Sequence, residues 1–577
     1  MNAERLLEVY EQISEAPDAI ARLRRFVLGL AMHGKLVEQD SGDEPASVLL
    51  NQIAAEKARL IKSGEIRKPR ELTNGEELEP PFEIPVSWQW CRLDVIGAII
   101  GGGTPSAGDP NNFSKPGEGI PWLTPADLGG YRDLSISRGA RDLTEKGLAS
   151  SSATMMPSGT VLFTSRAPIG YVAIAANPIS TNQGFKSIVP YVAECSRFIA
   201  LAMRTFAPEI DARAPGTTFK EVSGKIVAGV AFPLPPLPEQ HRIVAKVDEL
   251  MALCDRLEEA RKTREETRDK LTTASLARLT APDTMPEDFP AHAAFALDAL
   301  PALTTRPDQI KTLRQTILNL AVRGKLVEQN PADEPASDLL EKAKEDIAEY
   351  GQANGVRPAK VDKIRGFPFD VPFGWAWTRL ASIFRVVTDG DHQPPPRSDA
   401  GVAFLTIGNV SGGTLEFDGC RRVPQEYFDA LPRYRTPSAG DLLYTVVGAT
   451  FGRPVVVDDH EPFCVQRHIA ILKPSSEMSL PFLGLLMASP FVYSQAKEAL
   501  TGAAQPTLTL RPLRNFMLPI PPLTEQHRIV AKVDALMALC NRLAAALTTT
   551  ETTRTRLLEA LLHEALEPEA RALEAAE

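Results

Sequence analysis

The chain carries one of its own segments twice. Residues 233–257 read PLPPLPEQHRIVAKVDELMALCDRL and residues 519–543 read PIPPLTEQHRIVAKVDALMALCNRL, with 21 of 25 positions identical at a constant offset of 286. A repeat of this length constrains the fold more than any bulk property, because both copies must settle into one local structure. In each copy a proline run leads into a Glu-Gln pair, after which Ile243, Val247, Leu250, Cys254 and Leu257 recur at steps of four and three. The second copy repeats them as Ile529, Val533, Leu536, Cys540 and Leu543. This spacing is the seam of a helix that packs on another helix. Proline suits the first turn of a helix, where backbone N–H groups lack an intrahelical partner, and it cannot continue a strand core. Each copy therefore predicts a domain boundary followed by a long helix, and the chain is built as two halves.

A second repeat precedes the first. LRRFVLGLAMHGKLVEQDSGDEPAS at residues 23–47 returns as LRQTILNLAVRGKLVEQNPADEPAS at residues 313–337, with 16 of 25 positions shared. Each copy predicts an amphipathic helix, a Gly-Lys-Leu-Val turn, an acidic Asp-Glu-Pro-Ala-Ser break and a further helix. Within it, GLAMHGK at residues 29–35 approaches the spelling of a phosphate-binding loop. That loop needs a preceding strand and a Ser or Thr after the lysine to hold magnesium, whereas here Leu36 follows and a helix precedes. The second copy also puts Asn319 where Gly29 stands, so nucleotide binding is not expected.

Beyond residue 80 the texture changes. PFEIPVSWQWCRL at residues 81–93 recurs as PFDVPFGWAWTRL at residues 368–380, and glycine, proline and short β-branched runs follow each. Apolar runs at turn-punctuated intervals predict strands of a mostly β domain in each half. Weaker echoes persist inside, such as GTVLFTSRAPIG from residue 159 against GDLLYTVVGATFG from residue 440. The Pro-, Ala- and Asp-rich residues 281–308 read as a linker between the halves.

With 577 residues and 44% apolar content there is ample material for several cores. The N-terminal MNAERLLEVYEQ is charged and amphipathic rather than a secretion signal, and no apolar run approaches bilayer length, so a soluble cytoplasmic protein without membrane contact is expected. Six scattered cysteines form no C-x-x-C pair, and Cys254 and Cys540 occupy equivalent seam positions, as small buried hydrophobes would.

In order, the chain is a helical segment, a β domain, a long helix and a linker, then the same three parts again: an α+β architecture with an internal two-fold repeat. This arrangement resembles the specificity subunit of type I restriction-modification systems over nearly the whole chain. The resemblance is carried by PLPPLPEQ at residues 233–240 and its copy at 519–526, by HRIVAK after each, and by the GKLVEQ turns at Gly34 and Gly324. It implies that residues 81–238 and 368–524 are target-recognition domains, each reading one half of a bipartite, asymmetric DNA site. The long helices, residues 239–280 and 525–577, would pair as an antiparallel coiled coil that holds those domains a fixed distance apart. Residues 1–80 and 309–367 are the helical segments, more sizeable than in the commoner family pattern. Two methyltransferase subunits would dock on the helical parts and bring S-adenosylmethionine for adenine methylation. Restriction subunits, with ATP and magnesium, would complete the complex, and the specificity chain itself would hold no cofactor or metal.

The formal charge of −10 at first opposes DNA binding. Residues 81–232, however, hold 13 Lys and Arg against 12 Asp and Glu, and residues 368–518 hold 13 against 14, leaving 37 against 47 for the remainder. The acidic excess thus lies outside the β domains. Near-neutral domains bind a polyanion weakly alone, since phosphate neutralisation supplies most non-specific affinity, so a basic partner sharing the DNA is expected.

Base readers should be polar or cationic side chains on loops: Arg donates twice to guanine, Asn and Gln pair with adenine, and Lys, Ser and Thr fix phosphates. The candidates are Thr104, Arg166, Asn182, Gln183, Lys186, Thr217 and Lys220 in the first β domain. In the second they are His392, Gln393, Arg397, Arg453, Gln466, Arg467, His468, Arg511 and Arg514. Asn182-Gln183 and Gln466-Arg467 fall at matching places in the repeat yet differ in identity, as two different half-sites require.

Catalytic signatures are missing from the sequence. The Asn/Asp-Pro-Pro-aromatic tetrapeptide of adenine methyltransferases is absent, and so is a Gly-rich cofactor loop after a strand. Asp389, Asp391 and His392 could be imagined as metal ligands, but the first half puts GGGTP in that place. The expectation is a non-catalytic DNA-recognition chain; the alternatives are a coiled-coil scaffold without DNA readout and an enzyme with an unrecognised site.

Overall fold

Each Gly-Lys-Leu-Val turn stands where two helices meet. The computed structural model describes residues 16, 18–66, 78–131, 133–216, 220–280, 288–392, 395–410, 412–448, 450–458, 460–502 and 506–566. They fall into two units, residues 1–263 with 551–577, and residues 264–550. In the first unit α1 (Ala19–Met32) and α2 (Ala46–Ser63) flank the turn. Gly34 has φ of 66°, and a Cβ there would stand 2.4 Å from Pro85 Cγ, so conformation and close approach both demand glycine. The stretch resembling a phosphate loop is thus the end of a helix.

The first β domain opens with β1 (Gln89–Arg92), β2 (Gly97–Gly101), β3 (Ile120–Leu123) and β4 (Ser135–Ile136). It continues with β5 (Val161–Ser165), β6 (Ile169–Ala175), β7 (Ser180–Thr181) and β8 (Lys186–Pro190). Helix α3 (Ser196–Ala212) and β9 (Ala231–Leu234) complete it. The main sheet runs β2-β8-β5-β6-β4, and Val161, Phe163, Ile188, Phe198 and Phe232 lie together in the core over which α3 packs. Beside the sheet, β3 and β7 pair in parallel. Strands β1 and β9 pair antiparallel, Trp90 opposite Pro233, so the domain's entry and exit are tied together. The proline run therefore starts inside a strand, contrary to the expectation that it only opens a helix. A two-stranded ribbon explains this, because an open edge tolerates a residue without an N–H.

The second unit repeats the plan. Helices α4 (Leu237–Thr280) and α5 (Phe289–Leu303) lead to α6 (Pro307–Val322) and α7 (Ala336–Asn354). The strands include β10 (Ala376–Arg379), β11 (Phe384–Asp389), β12 (Val402–Leu405), β13 (Leu442–Thr445), β14 (Pro454–Val456), β15 (Phe463–Val465), β16 (Ile469–Pro474) and β17 (Met517–Ile520). The main sheet runs β11-β16-β13-β14, β12 and β15 pair in parallel, and β10 and β17 close the domain with Trp377 opposite Pro519. Gly324, with φ of 67°, repeats the role of Gly34 against Pro372.

An elbow joins each β domain to its long helix, α4 or α8 (Leu523–Leu566). Glu239 is 1% exposed and accepts from Trp88 Nε1 at 2.9 Å and from Gln39 Nε2 at 2.6 Å. Arg242 holds Asp43 of the acidic break at 2.7 Å. In the second unit Glu525 accepts from Trp375 at 3.0 Å and from Gln329 at 2.9 Å, and Arg528 holds Asp333 at 2.6 Å. Two donors compensate each buried carboxylate. Burial still dominates and raises the pKa of both glutamates above the ordinary value.

The helical seam is real, and the helix it meets belongs to its own unit. Ile243 and Val247 share a core with Val27 and Ala31 of α1, and Arg24 reaches Asp255 and Glu258 of α4 at 2.5 and 2.8 Å. Correspondingly, Ile529, Val533 and Cys540 share a core with Ile317 and Ala321 of α6. Farther along, each long helix crosses from one unit to the other. The end of α4 lies in the second unit, where Leu276 and Leu279 pack with Ala296 and Leu320 and Asp269 accepts from Gln309 and Arg306. The end of α8 lies in the first unit, with Leu558 and Leu561 against Ala16 and Ala19 and Glu559 accepting from Arg22 at 2.7 Å.

The linker expected at residues 281–308 is corrected in part. Residues 281–287 lie outside the described residues, but Phe289–Leu303 is helix α5, whose Ala296 is buried. Its prolines misled: Pro290 lies in the first turn, where no N–H is needed, and the Ala- and Leu-rich remainder favours helix.

Candidate nucleic-acid interface

One turn in each β domain gathers the polar loops. In the first unit β7 leaves its partner β3 through Asn182, whose N–H donates to Leu123 O at 2.8 Å, and Phe185 N–H returns to Asn182 O at 3.3 Å. Asn182 Oδ1 accepts from Gly184 N–H at 2.8 Å, so this side chain is occupied in shaping the turn. The loop after β2 presses against it: a Cβ on Gly102 would stand 2.0 Å from Asn182 O. Ser165 N–H donates to Gly184 O at 2.7 Å and Val222 N–H to Ser165 O at 2.9 Å, which draws in Arg166 and Glu221.

The resulting cluster is compact in its chemistry. Thr104 donates to the Gln183 amide oxygen, and Lys186 Nζ lies 3.4 Å from Gln183 O. Glu221 receives Arg166 and Lys186, each at 3.6 Å. Thr104, Arg166, Gln183 and Lys186 are thus brought together, with Asn182 as the turn's internal brace. Lys220 points elsewhere, holding Asp211 at 3.0 Å. Thr217 lies outside the described residues.

The second unit builds the same turn from other side chains. Gln466 N–H donates to Leu405 O at 2.9 Å, Ile469 N–H returns to Gln466 O at 3.0 Å, and Val446 N–H donates to His468 O at 3.1 Å. A Cβ on Gly390 would stand 2.0 Å from Val465 O, so the loop after β11 makes the same close approach. On this frame His392 contacts Asp389 at 3.2 Å, Tyr427 donates to Asp391 at 2.9 Å, and Arg467 Nε lies 3.3 Å from His468 Nε2. Burial, then the Arg467 charge, hold the His468 imidazole below the usual histidine range. Val447 and Thr507, which bridge the strands here, replace the ion-paired Arg166 and Glu221.

His392, Gln466, Arg467 and His468 therefore share one surface. The other candidates of this half do not join it by any contact described. Arg514 donates to Val387 O at 2.7 Å and braces β11; Arg511 is exposed on the same short helix, Leu510–Arg514. Arg397 and Arg453 are exposed on other loops, and Gln393 lies outside the described residues. Sequence reasoning missed Glu221 and Tyr427 and considered Asp389 and Asp391 only as metal ligands. Their signal was weak, being acidic or phenolic residues beside chosen cations. Among the described residues no group of three or more His, Cys, Asp and Glu is placed to hold a metal, and no helix is long and apolar enough to cross a membrane.

The first turn thus offers an amide and two cations around one carboxylate; the second offers a guanidinium, two imidazoles and two carboxylates. Such groups can address base edges: guanidinium to guanine, amide to adenine, carboxylate to the cytosine amine.

Comparison with known proteins shows the family. A family model described as "Type I restriction modification DNA specificity domain" matches residues 85–266 and 394–550, one stretch in each half. The chain is 28% identical over 567 residues to the specificity subunit of the Escherichia coli type I restriction enzyme EcoAI, covering 95% of this chain and 94% of that one. It is 28% identical over 577 residues to the EcoEI specificity subunit of the same species, at the same coverage. Among solved structures, the HsdS subunit from Thermoanaerobacter tengcongensis aligns over 85% of this chain and 98% of its own, with 20% identity and a TM-score of 0.42. The family match spans both halves, and the chain belongs to the type I restriction-modification DNA specificity family.

Proposed function

We propose that the two turns read bases, residues 182–185 in one half-site and residues 466–469 in the other half of a bipartite, asymmetric DNA target. The chain is the sequence-specificity component of a type I restriction-modification complex. In this reading it positions two methyltransferase subunits, with restriction subunits completing the assembly in the cytoplasm. S-adenosylmethionine, ATP and magnesium belong to those partners, and this chain contributes recognition without catalysis.

One observation carries the proposal: the turns match in backbone bonds and in the close glycine approach, yet share no side chain. A scaffold without readout gives no reason for that pattern. Replacing Gln183 or Arg467 by Ala should cost about 1–3 kcal/mol at a base pair of one half-site and leave the other half-site unchanged. Binding profiles of the assembled complex over randomised sites provide the test. Uniform loss across all sequences from both variants would remove the turns as readers.

A further inference from the structure

One strand edge in the second unit collects cations without the acids to match them. Strand β11 is the outer strand of its sheet, and a cavity of about 290 Å³ opens along its residues 384–388. Three arginines and Tyr434 line it, and among the described residues no Asp or Glu does. Arg385 is already matched, its Nε donating to Asp346 at 2.8 Å. Arg514 Nη2 donates to Val387 O at 2.7 Å, but its Nε is buried without a partner. Among the described residues neither Arg357 nor the Tyr434 hydroxyl has a hydrogen-bond or ion-pair partner. Buried donors are costly to leave unmade, so an orphaned guanidinium N–H beside a second free cation points to an anion that arrives from outside.

The cavity continues into a basic strap. Residues 355–366, which lead from α7 towards the β domain, carry Arg357, Lys360, Lys363 and Arg365 against one acid, Asp362, and all four cations are exposed. The strap is tied down beside the short helix that supplies Arg514. Asp362 N–H donates to Asn515 Oδ1 at 2.8 Å, and Arg379 Nε donates to Asp362 O at 3.2 Å. These four cations precede residue 368, so they add to the near-neutral balance of residues 368–518 and give this edge a positive excess. The first unit has no match for the guanidinium in the cavity, because Ala228 stands where Arg514 does.

We infer that this edge is a phosphate clamp on the DNA backbone beside the second half-site, with Arg357, Arg514 and Tyr434 holding one phosphodiester and Lys360 and Lys363 meeting its neighbours. The inference rests on the proposed reading turns. Strand β11 carries both features: the cavity runs up to Thr388, and the reading loop starts at Asp389, whose carboxylate contacts His392 at 3.2 Å. At roughly 3.3 Å per residue, Val387 lies about 7 Å along the strand from Asp389. The floor of a major groove lies about 8.5 Å below its phosphate rim, so a base edge met at the end of β11 leaves a phosphate within reach of the cavity. An acidic protein segment would also meet these cations, but their place on the strand that leads into the reading loop favours DNA. Contacts of this kind fix position and add affinity without reading sequence. The two half-sites therefore contribute unequally, the second holding its backbone more firmly.

The test uses the full chain assembled with its methyltransferase subunits and duplex DNA titrated with salt. In the double variant Arg357→Ala, Arg514→Ala the slope of log K against log salt should become shallower by about 1, equally for every sequence. Arg514 also braces β11, so Arg357→Ala alone and Tyr434→Phe, which leave that brace, should weaken binding while the thermal midpoint stays at the wild-type value. Duplexes with a single neutral methylphosphonate linkage locate the contact: one position in the second half-site should weaken wild-type binding several-fold and leave the double variant unaffected. An unchanged salt slope, or sensitivity confined to the first half-site, overturns the clamp. If the slope is unchanged while inorganic phosphate raises the thermal midpoint of the wild type alone, the cavity takes free phosphate and the clamp is overturned. If the slope is unchanged while methyltransferase copies are lost in native mass spectrometry, the strap serves an acidic protein surface and the clamp is overturned. An assembled complex that binds no DNA overturns the reading turns and the clamp together, which separates that failure from the others.

Discussion

The elbows and the reading turns are both duplicated, and they have kept different things. At the elbow the residues themselves recur: Trp88 and Trp375 donate to Glu239 and Glu525 at 2.9 and 3.0 Å, and Arg242 and Arg528 hold Asp43 and Asp333 at 2.7 and 2.6 Å. At the turn only the backbone recurs, with Asn182 and Gln466 N–H bonds of 2.8 and 2.9 Å beneath Asn-Gln-Gly in one unit and Gln-Arg-His in the other. The elbow spends its polar atoms inside the protein, where a lost partner leaves a buried group unsatisfied. At the turns Gln183 and Arg467 are exposed, and side chains so placed are free to differ. Geometry is kept where the chain satisfies itself, and chemistry varies where something else must.

The sharpest way to break this contrast is at the elbow. Trp88→Ala removes a buried ring and one of the two donors to the Glu239 carboxylate, and should cost about 3–5 kcal/mol in urea unfolding. Trp375→Ala should cost a similar amount; a loss below about 1 kcal/mol in either unit would show that the elbow does not hold its geometry. Next comes the turn's backbone. Alanine at Gly102 or Gly390 would place Cβ 2.0 Å from a carbonyl oxygen, and overpacking of this kind should cost about 1–3 kcal/mol. If those variants keep wild-type stability and DNA binding, the two turns do not share a fixed frame.

A smaller effect is the pH dependence of the elbow. Burial raises the pKa of Glu239 and Glu525 above 4.5, so the folded chain holds these protons more tightly than the unfolded chain does. Their contribution to stability is therefore fullest below the unfolded value, declines as pH rises toward the folded value, and stays constant above it. The double variant Glu239→Gln, Glu525→Gln cannot ionise there. The wild-type urea midpoint should fall relative to the variant's as pH rises above 4.5, and a constant difference would unlink ionisation from folding. Smallest of all is Lys220→Ala. Its ion pair with Asp211 is exposed, so stability should change by less than about 1 kcal/mol. Any loss of DNA binding should then be the same for every sequence in a salt titration.

Much of this was legible because the sequence could be compared with itself. The helix–break–helix unit, the long helices and the pairing of residues 182–183 with 466–467 all follow from offset and spacing. What stayed hidden depends on contacts between distant positions. That Lys220 pairs with Asp211 and that Arg514 donates to Val387 O could not be read from either residue's neighbours in sequence. Asn182 read as a base contact although its side chain shapes its own turn. Pro233 signalled a helix start and lies in a strand, because edge position is a property of the sheet rather than of the residue. Glu221 matters through Arg166 and Lys186, 55 and 35 positions earlier, and no local pattern predicts such neighbours.

The crossing of the long helices bears on the order in which the molecule can be made. The first unit includes residues 551–577, and its Ala16 and Ala19 stay uncovered until Leu558 and Leu561 have been synthesised. The second unit needs nothing beyond residue 550. Domains generally fold as units, N-terminal first, during translation; here the half that begins first is the half that is finished last. Residues 551–566, which the first unit needs, are translated after all of residues 264–550, so the second unit can be completed before the first.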